Sequence, residues 1–190
     1  MTAAMRDVVW HKTKQLDKQE IINRLDKEYV DFTNYINGLR ESDYEFHFKE
    51  KWSARQQLEH IEMCVKPLVQ VYGMPKTLIE QNFGKIDRPN KSYQELLDDY
   101  LKKLREGGKA PNQYVPDDDN ITHKGQLIES LKSLIEKLNS RISEFEEAEL
   151  ESLMIPHPLL GKITLKEMLY NAIYHVQHHK NQAIENLENR

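Results

Sequence analysis

The chain has a single cysteine, Cys64, so no internal disulfide can form. Its opening stretch, MTAAMRDVVWHKTKQ, lacks an apolar segment of signal-peptide length. Together these features predict a cytoplasmic protein in a reducing compartment. No apolar run approaches the roughly 20 residues needed to cross a bilayer, so no membrane association is expected. Glycine and proline number only seven each in 190 residues. That is too little turn chemistry for a many-stranded sandwich or barrel. Positive charge is not in excess, with 27 Lys and Arg against 31 Asp and Glu and a net charge of −4. A nucleic-acid footprint is therefore not expected. No glycine-rich phosphate loop occurs, nor a G-x-S-x-G nucleophile turn.

What is present is helical periodicity. A length of 190 residues suits a single domain, taken here as 1–190, able to bury a core without disulfides. The first pattern runs from about Asp17 to Leu39, with Ile21, Ile22, Leu25, Tyr29, Phe32 and Ile36 at three- and four-residue steps. The second follows Trp52 and is capped by Ser53. It carries Leu58, Ile61, Val65, Leu68 and Tyr72, and Pro67 inside it should kink or shorten the helix. A long connection from about Gly73 to Asn120 holds a short segment near 76–81. It also holds a better helix opened by Ser92, with Glu95 at capping-box spacing and Leu96, Leu97, Tyr100, Leu101 and Leu104 on its face. The third long pattern starts near Thr122 and extends to Phe145. The segment IPHPLLGK interrupts, and the fourth helix opens at Thr164 and continues to about Leu187. The expected fold is an all-α four-helix bundle with a long, partly helical crossover between helices 2 and 3 and no convincing strand pair.

The chemistry concentrates in YNAIYHVQHHKNQAIENL. His175 and His179 are separated by four residues, so both project from one face of the helix, one turn apart. That spacing lets two imidazoles reach one metal ion, although a bare pair also arises by chance on a solvated helix. His60, early in the second helix, sits on the flank of an apolar stripe and can converge with the pair inside a bundle. Alone it reads as a satisfied histidine at the core edge. Three neutral imidazoles would leave a coordination position open, as in catalytic sites. Cys64, one turn after His60, is the rival for that position and otherwise a small core residue. Gln57, Asn171, His178 and Gln182 lie near the same faces and are candidates for contacts to the ligands or to substrate. The run His175-Val176-Gln177-His178-His179 is not His-Glu-x-x-His, so the glutamate base of that motif is absent. His11, His47 and His123 are expected to be solvated.

The string HPLLGKITLKEMLYNAIYHVQHHKNQ resembles the C-terminal signature of the DinB/YfiT-like superfamily, and KWSARQQLEHIEMCV resembles its helix-two signature. The resemblance covers most of the chain. It implies a four-helix bundle whose three-histidine site falls on His60, His175 and His179 and holds zinc or nickel. It also implies a possible homodimer and a small-molecule substrate. Members with known activity include transferases and isomerases that use low-molecular-weight thiols such as bacillithiol or mycothiol, and others are described as metal-dependent hydrolases. The expectation is therefore a metal-dependent transferase or hydrolase with no identified catalytic residue. The competing expectation is a metal-binding or helical interaction module without turnover.

Overall fold

A computed structural model describes residues 15–117 and 123–190. His11 and the rest of residues 1–14 lie outside the described residues. Four long helices carry the fold: α1 (Lys18–Gly38), α3 (Ala54–Tyr72), α6 (Lys124–Ser143) and α8 (Leu165–Leu187). Between them lie α2 (Glu41–Tyr44), α4 (Lys76–Phe83), α5 (Tyr93–Arg105), a 3₁₀ turn (Asn112–Tyr114) and α7 (Glu147–Ser152). Each long helix packs on two others, α1 and α3 each touching α6 and α8. A four-sided bundle results. Its core is the set of stripes visible in the sequence. Ile21, Leu25, Phe32 and Ile36 from α1 meet Leu58, Ile61 and Val65 from α3, Leu131 and Leu138 from α6, and Leu169 and Val176 from α8, all buried. Each such side chain contributes on the order of 2–3 kcal/mol through apolar burial.

The helix starts are chemically fixed. Asp17, Ser53, Ser92 and Thr164 each accept a hydrogen bond from the backbone three residues on. The side chains of Glu20, Gln56, Glu95 and Glu167 each accept one in turn from the backbone N–H of the cap, so these four helices begin with a reciprocal capping box. The start of α6 differs, because His123 precedes it without a side-chain cap; Thr122 lies outside the described residues. Pro67 does not shorten α3, which runs on to Tyr72 and stops at Gly73. The proline removes one backbone donor and its ring instead lines a cavity.

The expectation of no strand pair is corrected. IPHPLLGK and its flanks form an antiparallel hairpin of β1 (Met154–His157) and β2 (Gly161–Thr164), with Ile155 opposite Ile163 and His157 opposite Gly161. Four-residue strands show too little alternation to be read, and Pro156 argues against a strand by sequence. Gly161 opens β2 at φ +71, a conformation a side chain would strain. The crossover packs α5 against α8, while α4 packs against β1. A helix and a hairpin thereby close one side of the bundle.

Candidate metal centre

The hairpin, the crossover, α3 and α8 enclose a cavity of about 790 Å³. Gln57, His60, Asn171, His175, His178, His179 and Gln182 all line it, as does Cys64. His47 and His123 lie elsewhere and are exposed. The three proposed ligands meet through their Nε2 atoms. His175 Nε2 lies 3.2 Å from His60 Nε2 and 3.0 Å from His179 Nε2. The Cys64 thiol is 3.6 Å from His60 Nε2, and the ligand atoms of His60, Cys64 and His175 all lie within 4.8 Å of one another. Two donor sets therefore share His60 and His175, one completed by His179 and the other by Cys64.

The outer nitrogens decide the tautomers. His60 Nδ1 is 2.6 Å from the carbonyl oxygen of Tyr114. A carbonyl only accepts, so Nδ1 carries the proton and Nε2 of the neutral ring presents a lone pair. His179 Nδ1 donates in the same way to Gln57 Oε1, across from α8 to α3. Two lone pairs thus converge on His175 Nε2, which can donate at most one proton. Such a cluster is poorly satisfied by itself and well satisfied by a cation. Nitrogens held about 2.05 Å from a tetrahedral ion stand about 3.3 Å apart, close to the 3.2 and 3.0 Å from His175 to its two neighbours. Burial pushes the pKa of His175 and of His179 well below the ordinary histidine value, and neighbouring histidines push the same way. His60 is lowered too, by burial against the opposing bond to Tyr114. Three neutral imidazoles are the form in which a metal is bound. Burial pushes the Cys64 thiol up to about 12, so it stays protonated unless a cation draws off its proton.

Several residues that shape this site were not assigned a role from sequence. Trp52 lies over two of these histidines, its ring 6.2 Å from that of His179 and nearly parallel, and 5.0 Å from that of His60. The loop that carries Trp52 is tied to α8 by Asn186, which accepts from the Phe48 N–H and donates to the Phe46 carbonyl. His157, at the end of β1, accepts at Nδ1 from the backbone N–H groups of Leu159 and Leu160. Its proton is therefore on Nε2, which donates to Asn171 Oδ1 over 3.1 Å. That bond fixes the Asn171 amide, one turn before His175. Tyr29 and Tyr100 complete the wall. The sequence signals for these residues were present but mute: a tryptophan before α3, a His-Pro pair, and two tyrosines inside apolar stripes.

The family model of the DinB superfamily matches residues 24–183 of the chain. Among solved structures, the fold is similar to that of YfiT from Bacillus subtilis, with a TM-score of 0.64 at 13% sequence identity, covering 90% of this chain and 86% of that one. YfiT is described as a probable metal-dependent hydrolase with an unusual four-helix bundle topology. No curated protein matches the chain in sequence. Among the described residues, no helix is long and apolar enough to cross a membrane.

Proposed function

Since the chain belongs to the DinB superfamily, we propose that it is a metal-dependent enzyme in which His60, His175 and His179 hold one divalent ion. The observation that carries this reading is the convergence of three Nε2 atoms, two with tautomers fixed from behind by Tyr114 and Gln57. An imidazole set favours zinc or nickel over the oxygen-seeking magnesium and calcium. Such an ion supplies Lewis acidity that lowers the pKa of a thiol or a water. The chain's own residues favour a thiol. Hydrolysis calls for a positioned general base, yet the only carboxylates lining the cavity among the described residues, Glu50 and Glu185, are exposed. His178 is half-buried in the wall and neutral, its pKa lowered by burial, and can take up the proton a thiol loses. Leu68, Val71, Phe83, Leu104 and Leu159 offer an apolar surface to the rest of a small substrate. The reading is thus a transferase that adds a low-molecular-weight thiol to a small electrophile, with hydrolysis as its near relative.

Cys64 supports a second reading. A thiolate about 2.3 Å from a tetrahedral ion stands about 3.6 Å from a bound imidazole nitrogen, the distance found between Cys64 and His60. A fourth protein ligand would close the site and leave a metal-binding module without turnover. Two measurements separate the readings. Metal analysis of the purified protein should give about one ion per chain, lost in His60→Ala, His175→Ala and His179→Ala. Retention by all three variants overturns the ligand set. The cobalt(II) form should lack an intense near-ultraviolet sulfur-to-cobalt band. Such a band, abolished by Cys64→Ser, favours the closed module.

A further inference from the structure

Hydrogen-bond donors gather in the cavity without acceptors to match them. Tyr29 on α1 is 4% exposed and Tyr100 on α5 is 6% exposed, and both line the cavity beside the histidines. Neither phenol has a hydrogen-bond partner among the described residues, and both hydroxyls are open to the cavity rather than sealed in the core. The buried amide nitrogen Nδ2 of Asn171 is likewise unpartnered, because His157 occupies the other end of that amide. The two phenols come from opposite sides. Tyr100 reaches in from the crossover, its ring edge-on to that of His175 with centroids 6.5 Å apart. Tyr29 reaches in from the bundle, and Cys64 lines the same cavity as both phenols. Cys64 marks the side of the three-histidine cluster not taken by His179.

Charge points the same way. A divalent ion on three neutral imidazoles brings two positive charges to a site where the carboxylates among the described lining residues, Glu50 and Glu185, are exposed. Water alone would leave those charges uncompensated in a medium of low dielectric. Burial raises the pKa of both tyrosines, so they remain protonated donors at any physiological pH.

We infer that Tyr29 and Tyr100 form a phenolic pair that binds an oxygen anion of the substrate on the open side of the three-histidine site. The substrate class is then an electrophile bearing a carboxylate, or a carbonyl whose oxygen gains negative charge as it reacts. The role is that of an oxyanion-binding pair: each hydroxyl donates one hydrogen bond to the oxygen and keeps its own proton. This inference rests on the metal-site reading above.

The test uses the full chain loaded with cobalt(II), with acetohydroxamate as the oxygen-anion probe and visible absorption as the readout. Tyr29→Phe and Tyr100→Phe each remove one hydroxyl and keep the ring. Each should retain one cobalt per chain and bind the probe about tenfold more weakly, the scale of one hydrogen bond to a charged group. Tyr44→Phe serves as control, since its hydroxyl is also unpartnered but lies outside the cavity, and it should bind as wild type does. Wild-type affinity in both cavity variants overturns the pair, and a loss in only one overturns it in favour of a single donor. A wild-type chain that takes up no cobalt fails at an earlier step, and sinks the metal site together with the pair that depends on it.

Discussion

Two successive stretches of α8, residues 165–170 and 171–179, treat their polar groups in opposite ways. Over 165–170 every strong polar group is answered. Lys166, 2% exposed, is paired with Glu147 at 2.6 Å and Glu151 at 2.8 Å. Glu167, fully buried, receives two bonds from Arg88, at 2.7 and 2.6 Å, and one each from the backbone of Lys91 and Thr164. Tyr170 donates to Gln15 and accepts from the Leu16 N–H. Over 171–179 the polar groups face inward and remain short of partners. Asn171 keeps an unpartnered amide nitrogen, while His175 and His179 bring their Nε2 atoms against one another and against His60. Satisfied burial fixes a helix in place, whereas unsatisfied burial marks where something else is meant to bind. The boundary between the two regimes is a single turn.

The sharpest way to break this comparison is to damage the satisfied stretch and ask whether the other stretch notices. Burial alone would raise the Glu167 pKa, but Arg88 and the two backbone donors hold it below the usual glutamate value. Glu167→Ala removes the capping box of α8 and leaves the Arg88 guanidinium, itself only partly exposed, without its partner. The expected cost is roughly 3 kcal/mol in urea unfolding of the metal-free protein. Metal stoichiometry in the folded variant should stay at the wild-type value. A variant that keeps its stability would show the network to be incidental. One that folds but loses the metal would show that the two stretches are not separate.

How much of this division could be read from sequence follows from the length scale of each signal. The stripes of α1, α3, α6 and α8 repeat over about 20 residues, and capping boxes at Ser92 and Thr164 sharpen two starts. The histidine spacing on α8 is local and was legible for the same reason. The hairpin was not, since each strand has four residues and one of them is Pro156. Nor were the partners behind the ligands. Gln57 was visible as a polar residue one turn before His60, yet its bond is to His179, 122 positions away. The acceptor for His60 is the main-chain carbonyl of Tyr114, which no side-chain pattern encodes. Tyr29 and Tyr100 were read as members of apolar stripes, because a tyrosine fills a core with its ring whatever its hydroxyl faces.

The Gln57–His179 bond offers a smaller, more selective test on the unsatisfied side. A partner on the outer nitrogen of a metal-binding histidine fixes its tautomer and raises its basicity, and loss of such a partner weakens binding about 10- to 100-fold. Gln57→Leu should lower zinc affinity by that range, measured by competition with a chelator. Gln57→Glu keeps an acceptor at the same place and should restore it. Equal weakening in both variants would mean that Gln57 packs the helix interface rather than orienting the ring.

His157 sits where the two regimes meet, and the smallest expected effect belongs to it. Its Nδ1 accepts two backbone N–H bonds, so a second ring proton there would face donors and find no acceptor. Burial lowers its pKa below the ordinary 6.5, and the bond to Asn171 opposes the shift only in part. In the unfolded chain the same ring takes up a proton as pH falls through about 6.5. The unfolded state then binds more protons than the folded one, so stability falls as pH drops below that point and is full above it. His157→Asn keeps an acceptor for the Leu159 and Leu160 N–H groups but cannot titrate. Its metal-free stability, followed by urea unfolding between pH 7.5 and 5.5, should decline less steeply than that of the wild type. The difference is at most about 1.4 kcal/mol per pH unit, the limit for a single group. The ligand histidines contribute equally to both proteins, so the difference isolates this ring. Identical slopes would mean that His157 gains its proton as easily inside the fold as outside, and that the Asn171 amide is not held by it.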